Sequence, residues 1–169
     1  MKPSAGSLLV ATPILADPNF ARTVILVVEH DDAQGSLGVV LNRPTDIEIE
    51  AALPDWETSV VGPPVLFSGG PVEPSALLGL TRESGGGTHM AALEDGPGEN
   101  AELRLFSGYA GWGPGQLEAE IAEQAWWVLP AEPGDAFAAQ PENLWYEVLG
   151  RQRGRLAWYR HYPDDPALN

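Results

Sequence analysis

Phe106-Ser107-Gly108-Tyr109-Ala110-Gly111-Trp112-Gly113-Pro114-Gly115-Gln116-Leu117-Glu118 carries an apolar, strand-like run into a stretch dense in glycine and out again into an amphipathic segment. Glycine loses more backbone freedom on folding than any other residue, so a chain that uses it at this density needs a backbone that turns tightly or passes close to another. The pattern predicts a strand over Glu102–Phe106, a turn over Gly108–Gly115 and a helix over Gln116–Ala125. In that helix Leu117, Ile121 and Ala125 share one face, and acids near its start suit the positive end of the helix dipole. Strand, Gly-rich turn and helix start, in that order, can also cradle phosphate on backbone amides. Here no Lys or Arg lies in the loop, the dinucleotide spacing is absent, and Glu118 and Glu120 sit in the first turns. The turn therefore reads as a packing device, with Tyr109 and Trp112 filling the corner.

Outward from this stretch, most apolar runs are strand-like. Ser7–Ala11 is a short buried run, and Thr23–Glu29 is apolar too continuously for a half-exposed strand, so it reads as a central one. Leu37–Leu41 pairs beside it through an antiparallel hairpin whose linker, 29–35, has turn chemistry. Further strands are expected at Val65–Ser68, Ala76–Thr81, Met90–Leu93 and Trp126–Leu129. Besides Gln116–Ala125, helices are expected at Pro141–Leu149, which opens on Pro and stops at Gly150, and more weakly at Ile47–Leu53. Strands interrupted by helices without regular βαβ alternation indicate an α+β fold with a mixed sheet. Glu83–Thr88 and Asp95–Asn100 read as loops, the first expected to be mobile.

At 169 residues the chain is expected to form a single domain over 1–169. It contains no cysteine, which excludes disulfides, thiolate metal sites and cysteine nucleophiles. Twenty-four acids against nine Lys and Arg give a net charge of −15, a field that repels phosphate backbones and anionic membranes, so direct DNA binding and membrane association are not expected. One local exception is the C-terminal segment from Arg151, where Arg151, Arg153, Arg155 and Arg160 cluster; a solvated or acid-paired face is the expected reading. Lys2 and the apolar stretch Leu8–Ala16 superficially resemble a secretion signal, but Thr12 and Pro13 break the stretch, so a cytoplasmic protein is expected.

The sequence carries no G-x-S-x-G elbow, no H-E-x-x-H and no phosphate loop, and no cofactor is called for. His30, flanked by Glu29, Asp31 and Asp32, is the one candidate acid or base. No metal site is expected there, because neighbours on a strand point to opposite faces. Asn42-Arg43-Pro44 is the strongest candidate for function: Pro44 biases Arg43 toward an extended conformation, so its guanidinium leaves a strand end at a defined angle, to meet a carboxylate or a ligand anion. Ser68-Gly69-Gly70-Pro71 is a second tight turn after a strand. If both turns lie at one sheet edge, Asn42, Arg43, Ser68, Gly69 and Gly70 would form a shallow polar pocket with Gly108, Tyr109 and Gln116 of the glycine stretch.

These motifs, together with the opening Gly6–Pro13, Asp17-Pro18-Asn19-Phe20, and Trp126-Trp127, occur in an order that resembles the AlgH/YqgE family of bacterial proteins, over nearly the whole chain. The resemblance implies a compact α+β fold with a bent or bifurcated sheet flanked by helices. It implies no reaction. Some members are described as regulators of alginate production, yet no DNA-binding motif is visible here, and Leu80 stands where relatives often carry a His. Two function classes follow. One is a binding or regulatory protein that engages a protein partner or a small ligand; the other is an enzyme on a small polar substrate, with Arg43 as anchor and His30 as acid or base. The sequence leaves the oligomeric state open.

Overall fold

A computed structural model of the chain describes residues 1–82, 86–95 and 102–163. Parts of both expected loops, residues 83–85 and 96–100, lie outside the described residues. In chain order the elements are β1 (Ser7–Ala11), β2 (Val24–Asp31), β3 (Gly35–Val40), β4 (Pro44–Glu48), the single turn α1 (Ile49–Ala52), β5 (Val65–Ser68), β6 (Val72–Arg82), β7 (His89–Met90), β8 (Glu102–Trp112), α2 (Gln116–Ala122), β9 (Trp126–Pro130) and α3 (Leu144–Gly150). The strands form one mixed sheet in the order β4-β5-β8-β3-β2-β1-β9, with β6 alongside β8 and β7 on β6. Only β5 and β8 run parallel; the other described pairs are antiparallel. The α+β class is as expected.

The period-two alternation of the central strands divides the core into two layers. Leu8, Val10, Val24, Leu26, Val39 and Leu41 face Leu144, Trp145, Val148 and Leu149 of α3. Their neighbours Leu9, Ala11, Ile25, Val27 and Val40 face Trp112, Leu117 and Trp126 on the other side. Because α3 covers one face and α2 with two tryptophans the other, β1 and β2 are apolar at successive positions, which is what made them legible as central strands. Each fully buried Val, Leu or Ile among them contributes about 1.5–3 kcal/mol.

One expectation fails informatively. Of the turn expected over Gly108–Gly115, the part from Gly108 to Trp112 is strand; β8 continues through it to Trp112, and only the residues between Trp112 and Gln116 turn. Gly108, at φ +77, bends the strand without ending it. Before the bend, β8 pairs with β5 through Phe106 and Ser107; beyond it, with β3 through Ala110, Gly111 and Trp112. The sheet therefore forks at Gly108, the bifurcation that the resemblance implied.

Helix α2 is also shorter than its apolar pattern. Gln124 takes a left-handed conformation at φ 64, and the amides of Gln124 and Ala125 bond back to Ile121 O and Glu120 O, a Schellman turn that uses up the last residues of the run. The expected helix over Pro141–Leu149 begins as a 3-10 turn, Pro141–Asn143, before α3. The Arg-containing segment is no free tail: Gly154–His161 forms 3-10 turns, and Leu156, Tyr159 and Tyr162 pack against the α3 layer. Arg151 is acid-paired, donating to Asp135 Oδ1 and Oδ2 at 2.6 and 2.7 Å, with Glu132 at 3.4 Å.

Candidate functional site

The fork in the sheet makes a cleft. Where β3 and β5 part along β8, three backbone hydrogen bonds stitch the segments together: Val40 N to Gly69 O at 2.9 Å, Ser68 N to Arg43 O at 2.8 Å, and Gly69 N to Ser107 O at 2.8 Å. A Cβ on Gly70 would run into the Tyr109 backbone, and one on Gly108 into the Gly70 carbonyl, so glycine is required for the turns to pass this closely. The space left between them is lined by Asn19, Val40, Arg43, Ser68, Gly70, Pro71 and Pro74 and has a volume of about 180 Å³. Diverging strand ends are a common origin of ligand crevices, because their side chains and backbone polar groups no longer face a neighbouring strand.

Arg43 forms part of the wall. Its guanidinium donates to Asn19 O at 2.7 Å and Ala21 O at 2.9 Å, which pins the loop before β2 across one side of the cleft. The expected carboxylate partner is not what holds it: among the described residues no acid lies within ion-pair distance. Burial lowers its pKa from the usual arginine value, and the more distant charge of Asp17 acts in the opposite direction. The group stays cationic. Two carbonyls fix its plane while leaving its charge unneutralised, and the Ser68 hydroxyl beside it has no hydrogen-bond partner among the described residues.

The other candidates divide. Gly69 and Gly108 pack behind the cleft as backbone spacers. Asn42 turns away: its Oδ1 accepts from Val24 N at 2.9 Å and its Nδ2 donates to Arg22 O at 2.8 Å, replacing the ladder partner that β2 lacks at its start. Tyr109 is half-buried opposite Val72, and partial desolvation, followed by the neighbouring Glu73 carboxylate, raises its phenol pKa. Gln116 is remote from the cleft; it accepts from Gly113 N at 3.0 Å and donates to Glu120, whose other oxygen accepts from the indoles of Trp112 and Trp126 at 2.8 and 2.9 Å. That network packs Trp112 into the corner, with Trp126 as its aromatic neighbour; Tyr109, expected beside it, is not part of the network.

His30 does not join Arg43. Asn42 grips the start of β2 at Val24 while His30 stands near its other end, six residues on and therefore about 20 Å away along the strand. The anchor and the acid–base group postulated for an enzyme thus do not share a site. The imidazole instead meets Ser36, Asp32 and Glu118.

The sequence pattern of the AlgH-like family matches residues 8–157. The chain belongs to the AlgH-like family. It is 50% identical over 183 residues to a UPF0301 protein of Streptomyces coelicolor, covering 97% of this chain and 94% of the relative. A UPF0301 protein of Thermobifida fusca is 42% identical over 187 residues, covering 97% and 94%. Among solved structures, a crystal structure of a Corynebacterium diphtheriae protein superposes with a TM-score of 0.86 at 31% identity, covering 96% of this chain and 94% of that one. The solution structure of the AlgH protein from Pseudomonas aeruginosa superposes with a TM-score of 0.70 at 31% identity, covering 98% and 100%.

Membership fixes the fold of an AlgH-like chain and leaves its chemistry to be read from the site. Among the described residues no helix is long and apolar enough to cross a membrane. Three lining residues of the fork cleft, Asn19, Val40 and Pro74, escaped the sequence reading. Asn19 sits in a turn whose only visible signal is turn chemistry, its N donating to Asp17 Oδ1 at 2.9 Å in an Asx turn that gives no hint of what it faces, and Pro74 lies near the start of β6, ahead of the strand expected from Ala76.

Proposed function

We propose that this chain is a small-ligand-binding protein and that the fork cleft takes a small anionic group, a carboxylate or a phosphate ester. The supporting observation is Arg43: a guanidinium fixed by two carbonyls, with no acid at ion-pair distance among the described residues and only the more distant charge of Asp17 acting on it, in the wall of a cleft of about 180 Å³. Arginine has five N–H donors, so the two carbonyls leave a fork available for an oxyanion. The cleft is smaller than the roughly 300–1,000 Å³ of sites for drug-sized ligands, which favours a compact molecule or the charged end of a longer one. A regulatory role follows if the occupied cleft presents a different surface to a protein partner.

The test is mass spectrometry of small molecules released from the purified protein and from Arg43→Gln. The expected result is an anionic compound enriched with the wild type and lost from a variant that stays folded. No enriched anion, or the same anion on both proteins, would remove the basis of the proposal.

A further inference from the structure

We infer that His30, Asp32 and Glu118 form a site for one divalent transition-metal ion of the zinc class. The site is independent of the fork cleft. His30 lies near the end of β2, Asp32 opens the following hairpin turn, and Glu118 lies in the first turn of α2. The pairing of Ser36 with Trp112 brings the hairpin end beside the end of β8, just before α2 begins, and so delivers a carboxylate that no local pattern could place. The rule that strand neighbours diverge still holds for Asp31, whose Oδ1 accepts from the amides of Ala33 and Gln34. The third ligand comes instead from the distant helix.

The distances suit a metal ion between the three groups. His30 Nε2 lies 3.5 Å from Asp32 Oδ1 and 3.4 Å from Glu118 Oε1. The three donor atoms fall within 4.8 Å of one another. Charge-assisted hydrogen bonds are shorter, about 2.7–2.9 Å. Ligands at about 2.0–2.1 Å from a tetrahedral zinc ion stand about 3.4 Å apart, which is the spacing seen from the imidazole to each carboxylate.

A second observation concerns the far side of the ring. His30 Nδ1 lies 2.7 Å from the hydroxyl of Ser36, a residue only 9% exposed. In the metal-bound form Nδ1–H would donate to that hydroxyl and leave the Nε2 lone pair toward the carboxylates, the outer-shell arrangement of histidine ligands. The histidine side chain is 13% exposed, against 43% for Glu118 and 98% for Asp32, so a pre-placed nitrogen faces two carboxylates free to close on an ion, with a fourth position open to water. One imidazole and two carboxylates suit zinc better than magnesium or calcium, which take oxygen sets. The net charge of −15 also draws cations to the surface.

The test is isothermal titration of the full chain with Zn²⁺ at physiological salt and in excess Mg²⁺, which suppresses diffuse cation binding, with Co²⁺ absorption as a probe of coordination. The expected result is one ion per chain, a tetrahedral Co²⁺ spectrum, and affinity reduced on the order of tenfold or more in each of His30→Ala and Glu118→Gln, with a smaller loss in Ser36→Ala. Should His30→Ala fail to fold, the exposed Glu118→Gln decides. Absence of stoichiometric uptake, or uptake unchanged in Glu118→Gln, would overturn the assignment.

Discussion

Arg104 is 1% exposed, its guanidinium lies over the Phe67 ring at 4.4 Å, and it donates to Gly62 O at 2.7 Å and Ala138 O at 2.9 Å. Burial pushes its pKa down to about 10, with the charge of Glu142 opposing, so it enters the core charged at neutral pH. What it achieves is sutural: one side chain on β8 holds two loops that would otherwise bury unpaired carbonyls. Arg104→Ala strands those carbonyls and empties the volume, and should lower stability by about 3–5 kcal/mol in urea unfolding. Arg104→Met, which removes the charge as well but fills the space, should cost clearly less. Arg43 uses the same chemistry at the surface, where carbonyls set its direction and its charge stays available. Neither role was legible in sequence. Leu103-Arg104-Leu105 looks like any strand with one outward charge, and the carbonyl partners of Arg104 lie 32 to 42 residues away. For Arg43 the strand-end position was readable from Pro44, and the partner was not.

Among the elements, the bend in β8 decides which strands meet. Gly108 and Gly115 have nearly the same left-handed φ, +77 and +76, but a Cβ at Gly108 would strike the Gly70 carbonyl whereas one at Gly115 meets nothing within 4 Å. Gly115→Ala should therefore cost only the left-handed penalty, about 1–2 kcal/mol. Gly108→Ala should cost at least about 3 kcal/mol, because it also forces the two turns of the fork apart. Equal melting temperatures for the two variants would mean that the close approach carries no energy. Strands such as β1 and β5 were readable to the residue, since their apolar runs are short and bounded by turn chemistry. The far half of β8 was not, because glycine density marks a close approach and a turn alike, and only the partner strands distinguish them. The fork exists because β3 and β5, from different parts of the chain, both pair with β8.

Over the whole molecule, the charge of −15 produces a field that opposes polyanions. Of the four arginines that could have offset it locally, Arg151 is spent on Asp135, itself 5% exposed. The protein should produce no salt-sensitive gel shift with duplex DNA at physiological salt; a tight shift abolished by changing Arg153 and Arg155 to Ala would show that the local cluster outweighs the global field. The fold class was legible at this scale because period-two runs and helix stops are local signals. The sites were legible only as separate pieces, since each is assembled by strand pairing between distant segments. Entry of a small anion into the fork cleft through Arg43 can be followed by two-dimensional amide NMR of the labelled protein titrated with inorganic phosphate and then acetate at constant ionic strength. Saturable shifts are expected at Val40, Arg43, Ser68, Gly69 and Gly70, and they should vanish in Arg43→Gln. Shifts that never saturate, that scatter away from the fork, or that persist unchanged in Arg43→Gln would contradict anion entry at the fork.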